Sequence, residues 1–312
     1  MPHRDAEGGV HRWVKLEFLR SVQNRYMNFS LRSGLVIVAA IGVSSPLLFA
    51  RASASPQVAA PSKTSPLTFG DTFTLPSATL KETRRINIYL PPAYAETAAT
   101  RLPVLYMPDG GMAEDFLHIA GLVQVLTGNG TMRPFILVGI ENTERRRDMT
   151  GPTEDPEDKK IAPRVGGSQA FRTFIRQELM PAVRARYRTT DETAIVGESL
   201  AGLFVVETFL KEPDLFNTYI AFDPSLWWNK EGMVKSAAAD LKAGLSHRRT
   251  LYIATSSQGN AGGYMTRLAA IVASDAGPLV TSKFVEAGDE LHSTIYHPAA
   301  LVAFRELFKP AK

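Results

Sequence analysis

A serine flanked by small residues stands where an apolar β run gives way to a helical run. Gly197-Glu198-Ser199-Leu200-Ala201-Gly202 follows residues 194–196 and leads into residues 200–210. A strand-to-helix turn of this kind strains the serine backbone and exposes its hydroxyl, provided that the residues two before and two after are small. Gly197 and Ala201 meet that need, with alanine where a second glycine is usual and Gly202 directly after it. The same pattern fits an ordinary turn with a helix-capping serine. What separates the two is a base within reach of the hydroxyl, because a neutral alcohol is a weak nucleophile.

Six histidines are available. His3 and His11 fall in the charged N-terminal stretch, and His118 and His247 in helix-like or connecting stretches. His292 follows Phe284-Val285-Glu286-Ala287-Gly288-Asp289-Glu290, a strand passing into a glycine-containing loop, and is the expected base. His297, before Pro298 at a helix start, is the alternative. In the order serine, acid, histidine, the acid belongs in the loop after the strand at 251–254. That loop, Thr255-Ser256-Ser257-Gln258-Gly259-Asn260, has no carboxylate. Asn260 is the candidate third member, an amide able to orient an imidazole without stabilising its cation. Asp223, Glu286, Asp289 and Glu290 are candidates from outside the loop. Acyl transfer also needs two backbone N–H groups for the developing oxyanion. Leu200, next to the serine, is one candidate; Gly110-Gly111, after the strand at 104–107, supplies the other.

The elements that must position these groups alternate along the chain. Residues 85–90 put Ile86, Ile88 and Leu90 on one face, and Pro91-Pro92 ends the run. Residues 104–107, 135–140, 194–196, 219–222 and 251–254 are short apolar runs. Residues 168–183 carry Phe171, Phe174, Ile175, Leu179 and Val183 at helical spacing, and 297–308 make a final amphipathic helix. Apolar strands separated by helices predict an α/β architecture with a mostly parallel central sheet and helices on both faces.

Composition narrows the classes. With 45% hydrophobic and 21% charged residues, the chain has the make-up of a globular protein. Residues 1–54 hold seven basic and three acidic residues, which is the whole net charge of +4; the rest balances. A folded body without net charge gives no ground for nucleic acid as a partner. The absence of cysteine excludes disulfides, thiolate metal sites and a cysteine nucleophile. Arg32, the apolar run 34–50 and Ala52-Ser53-Ala54 have the order of a secretory signal, with Met27 as an alternative start. The expected organisation is therefore a signal region over 1–54, a flexible Ser/Pro/Ala linker over 55–67 and one domain over 68–312. The mature protein is expected to be exported, periplasmic or secreted, without stable membrane association after signal cleavage; an uncleaved membrane anchor is the alternative reading of the same run. No feature sets an oligomeric state.

Five segments occur in a familiar order: Tyr106-Met107-Pro108-Asp109-Gly110; Val138-Gly139-Ile140-Glu141-Asn142 with Arg145-Arg146-Arg147-Asp148; the Gly197 turn; Asp223-Pro224-Ser225-Leu226-Trp227-Trp228; and Glu290-Leu291-His292. From about residue 70 onward the chain resembles the putative-esterase family of α/β hydrolases, most of all its branch of siderophore (enterobactin-type trilactone) esterases. That resemblance implies an α/β-hydrolase fold, Ser199 and His292 as the working pair, and an acid near Gln258 to Asn260. Some members of the branch are thought to work without an acid. It also implies that Trp227 and Trp228 line the pocket; read from the residues alone, paired tryptophans after a strand fit a core plug equally well. Arg147 and its neighbours Arg145 and Arg146 either meet anionic substrate groups or pair with Asp148 and Glu144.

The expected reaction is hydrolysis of a small-molecule carboxylic ester through an acyl-enzyme, without metal or organic cofactor. Carbohydrate or feruloyl esters, or acyl transfer to another alcohol, use the same machinery. A ligand-binding protein with weak catalysis is the reading from another class.

Overall fold

Strands β3 (Leu102–Pro108) and β4 (Ile136–Ile140) are buried at every position. A strand with no solvent-facing side has to lie between two layers. The computed structural model, which describes residues 65–242 and 246–310, supplies those layers. The signal region and nearly all of the linker expected from sequence lie outside the described residues. Residues 65–312 form one compact unit.

The described strands make one eight-stranded sheet in the order β1-β2-β4-β3-β5-β6-β7-β8. Besides β3 and β4 it contains β1 (Asp71–Ser77), β2 (Glu82–Tyr89), β5 (Thr189–Glu198), β6 (Thr218–Phe222), β7 (Arg249–Ser256) and β8 (Val280–Ala287). Pairings β1/β2 and β2/β4 are antiparallel; all the others are parallel. The sheet is thus the mostly parallel one that the apolar runs predict.

The pleat sends alternate residues into two separate cores. Val104, Tyr106, Ile195, Leu251 and Ile253 pack on one face with the Leu200–Lys211, Trp228–Leu241 and Tyr264–Asp275 helices. Leu105, Met107, Ala194, Val196, Tyr252 and Ala254 pack on the other with the Phe116–Gly128 and Tyr296–Leu307 helices. The Leu200–Lys211 helix is buried from Leu200 to Leu210, which fixes its N-terminus against the sheet. Among the described residues no helix is long and apolar enough to cross a membrane.

Since β5, β6, β7 and β8 are parallel neighbours in that order, their C-terminal ends open on one edge. This is where an open α/β sheet places its ligands.

Candidate active site

Ser199 occupies the turn between β5 and the Leu200–Lys211 helix with φ 60° and ψ −118°. A non-glycine residue in this region is strained. It is held by three backbone hydrogen bonds: its N–H donates to Phe222 O (3.0 Å), and its carbonyl accepts from Leu203 (2.9 Å) and Ser225 (3.1 Å). The turn is tight because of Gly197, where a Cβ would lie 2.7 Å from the Ala201 carbonyl carbon. Gly202 lets the helix approach β6, since a Cβ there would lie 3.0 Å from Phe222 O. Ala201 takes the usual glycine position, fully buried.

His292, in the loop after β8, places Nε2 3.1 Å from Ser199 Oγ. Its Nδ1 lies 3.1 Å from Oδ2 of Asp223, the residue directly after β6. Asp223 is 2% exposed and has φ 40°. The loop after β7 surrounds it with donors: Thr255 Oγ1 (2.8 Å) and Ser256 N (2.6 Å) to Oδ1, and Ser256 Oγ (2.5 Å) to Oδ2. Gly259 completes the approach, as a Cβ there would lie 2.0 Å from Asp223 Oδ1. Gln258 Oε1 accepts from His292 N (3.1 Å) and ties the histidine loop to the same turn.

The electrostatics follow from burial and these bonds. Burial acts on the Asp223 carboxyl to raise it, but the hydrogen bonds from His292, Ser256 and Thr255 outweigh burial and hold it below the ordinary carboxylate range. Burial pulls His292 down, yet its bond to Asp223 and the charges of Glu198 and Asp223 leave it raised. Glu198 is pushed up to about 8, chiefly by burial, against the opposing pull of His292 and Arg145. Hydroxyl, imidazole and ionised carboxylate in this order are the arrangement that general-base activation of an alcohol requires.

The side chain beside His292 Nδ1 is the Asp223 carboxylate and not the amide expected at Asn260. Asn260 faces away from the imidazole: its Oδ1 accepts from the N–H groups of Met265 (3.1 Å) and Thr266 (3.4 Å), and its Nδ2 donates to Thr266 Oγ1 (2.8 Å). It caps the Tyr264–Asp275 helix, whose first N–H groups have no acceptors of their own. Of the outside candidates, Asp223 reaches His292. Glu290 accepts from Thr294 Oγ1 (2.6 Å), and Glu286 and Asp289 are exposed. The signal for Asp223 lay in two segments read together, an aspartate ending one strand and the hydroxyl-rich Thr255-Ser256-Ser257 ending the next.

Leu200 begins its helix beside Ser199, so its N–H belongs to the group that finds no acceptor within the helix. The two glycine N–H groups expected to join it are engaged. Gly110 donates to Ile140 O (3.0 Å), and Gly111 to Glu114 Oε2 (2.6 Å). Gly110 is needed for packing, because a Cβ there would lie 2.2 Å from Ile140 N. Gly111 is held by a side chain, Glu114, whose other oxygen accepts from Asn142 N (3.3 Å).

Trp228 is 4% exposed and packs in the core, with its Nε1 donating to Gly151 O (3.0 Å). Trp227 is partly buried beside it, with ring centroids 6.0 Å apart. Arg147 pairs with Glu82, Glu144 and Asp148, the second of the two arrangements expected for it. Arg145 grips Asp109 through Nε (2.6 Å) and Nη2 (2.8 Å). Among the described residues no cluster of three or more His, Asp or Glu side chains is arranged to hold a metal ion.

The chain is similar in sequence and fold to known proteins. The chain is 33% identical over 186 residues to the ferri-bacillibactin esterase BesA of Bacillus subtilis, covering 52% of this chain and 63% of that protein. It is 30% identical over 155 residues to a siderophore triacetylfusarinine C esterase of Aspergillus fumigatus, covering 46% and 51%. The chain thus spans less than two thirds of the length of either relative. Among solved structures, an IroE-like serine hydrolase from Shewanella oneidensis superposes with a TM-score of 0.69 at 28% identity, over 77% of this chain and 80% of that one. The family described as "Putative esterase" matches residues 77–277, more than half of the sequence, and the chain belongs to that family.

Proposed function

We propose that the protein is a serine esterase that hydrolyses small-molecule carboxylic esters through an acyl-enzyme. The observation that carries this reading is the unbroken contact from Ser199 Oγ to His292 Nε2 and from His292 Nδ1 to Asp223. In this scheme Ser199 Oγ bonds to the ester carbonyl carbon while its proton passes to Nε2. Asp223 keeps the Nδ1 tautomer and stabilises the imidazolium. The Leu200 N–H, with that of Gly111 once Glu114 releases it, faces the oxyanion. The imidazolium gives its proton to the departing alkoxide, and water repeats the sequence to free the acid.

We further propose siderophore esters as the substrate class, supported by the names of these two relatives. Iron arrives with such a substrate and is not the protein's own. Export, supported by Arg32 and the apolar run that follows it, belongs to the same reading. The ligand-binding alternative rested on a missing acid, and Asp223 beside His292 removes that ground.

A fluorophosphonate probe together with a panel of esters tests the proposal: p-nitrophenyl esters of graded length, a ferric trilactone siderophore and a feruloyl sugar. Labelling at Ser199 and turnover of the trilactone above the others are expected. Ser199→Ala is expected to lose at least about a thousandfold in activity. Wild-type protein that takes no label and turns over no ester defeats the reading.

A further inference from the structure

Glu198, the last residue of β5, turns its side chain toward the nitrogen that serves Ser199. His292 Nε2 lies 3.1 Å from Ser199 Oγ and 3.3 Å from Glu198 Oε1. The imidazole therefore has a carboxyl group at each nitrogen. Asp223 is fixed as an anion by three further hydrogen bonds from Thr255 and Ser256. Glu198, only 16% exposed, stands among mixed charges. Arg145 reaches its field from the Arg145–Met149 helix, Asp109 and Asp115 from the loop after β3, and the His292 imidazole from the loop after β8. From the last helix comes the Tyr296 hydroxyl, buried without a hydrogen-bond partner and within the field of Glu198, Asp109 and Asp115. Arg145 is itself neutralised by its two bonds to Asp109. The cation within ion-pair distance of Glu198 is thus the imidazolium of His292, with Arg145 acting on it from the pair with Asp109.

We propose that Glu198 is a positioning residue that shares one proton with His292 and so sets the pH above which the imidazole is free to accept the proton of Ser199. The proposal rests on the serine-esterase reading. With one proton between them, the pair is either imidazolium and carboxylate or imidazole and carboxylic acid. In both forms the Nε2 lone pair is engaged and does not serve the hydroxyl. Loss of that proton leaves a neutral imidazole beside a carboxylate. As Ser199 Oγ bonds to the acyl carbon, its proton moves to Nε2, and the imidazolium stands between two anions, Asp223 and Glu198. The same proton then leaves with the alkoxide. Glu198 thus strengthens the base and delays its release to higher pH, the balance expected of a carboxylate about 3 Å from an imidazole.

The test compares the full-length wild type with Glu198→Gln and Glu198→Asp, all checked for folding by circular dichroism. The pH profile of kcat/KM for p-nitrophenyl acetate gives one readout; the titration of His292, followed through its imidazole ring-proton resonances, gives a second that needs no turnover. An opposite charge at this range moves a titration by roughly one to three pH units. In Glu198→Gln the midpoint of the ascending limb and the His292 titration are expected to fall together by at least about one unit. Glu198→Asp, which keeps the charge but draws it back, is expected to fall by less. Unchanged midpoints overturn the proposal, as does a uniform loss at every pH with the midpoint in place, which marks a purely structural residue. Should the wild type turn over no ester, the esterase reading fails by itself, and the His292 titration still decides whether Glu198 shares its proton.

Discussion

Asp223 and His292 meet at 3.1 Å across 69 positions of sequence. They meet because β6 and β8 end at the same edge of the sheet, with β7 between them. The strand between contributes no acid. It contributes the hydroxyl and N–H donors that keep the acid of its neighbour ionised.

Asp223→Asn is therefore expected to lose about a thousandfold to ten-thousandfold in kcat, the cost of an amide behind the histidine. Asn260→Ala should keep activity close to wild type and lose about 1 kcal/mol of stability, as for a removed helix cap. Steady-state kinetics and urea unfolding on the two variants check this. The opposite ranking would return Asn260 to the site and remove Asp223 from it.

Gly197→Ala should destabilise the fold by about 1–3 kcal/mol, in the range of overpacked core sites. The new Cβ would sit 2.7 Å from the Ala201 carbonyl carbon and 2.8 Å from the Ala201 Cβ. Adding Ala201→Gly relieves the second contact and not the first, so the double variant should stay well below wild type in thermal unfolding. Full rescue would place the strain in the methyl groups alone.

A charge cluster supports the segment that carries Arg145. Arg84, fully buried, reaches Asp148 (2.5 Å) and Glu82 (2.8 Å), and Arg147 binds both acids as well. Arg84→Met should cost about 3–5 kcal/mol at neutral pH, because it strips a buried carboxylate of a partner. Burial acts to raise Glu82, but hydrogen bonds from Arg147, Arg84 and Thr143 hold it at about 2 against an ordinary 4.5. Its folded pKa is depressed, so its contribution is complete above about 4.5 and lost as pH falls through about 2. Acid unfolding followed by circular dichroism should begin at higher pH in Arg84→Met than in wild type.

The paired tryptophans should separate in function. Trp228→Phe leaves Gly151 O without its donor and should cost about 1–3 kcal/mol of stability. Under the proposed function, Trp227→Ala should raise KM for aromatic acyl esters more than for acetate, with the unfolding midpoint less affected. Equal changes in KM for both esters would remove Trp227 from the acyl pocket.

The sequence by itself determined whatever depends on local pattern. Apolar runs too short for helices and buried on both faces specify parallel strands, and their alternation with helical runs specifies the layers. The turn at Ser199 was legible because it needs small residues at fixed offsets, and His292 because it follows the last strand pattern. Tertiary structure alone decided which partners meet across the strand ends. Asp223 was one of four carboxylates with equal claim until β6 and β7 were seen side by side. Asn260 looked suitable by position, but its helix had nearer unsatisfied N–H groups for it to cap. Gly110 and Gly111 are readable as a tight turn, yet whether their N–H groups are free depends on Ile140 and Glu114, one distant in sequence and one a neighbour able to fold back. Glu198 carried no sequence signal at all. A residue beside a nucleophile points anywhere until the strained turn fixes its direction, and here that direction is toward the imidazole.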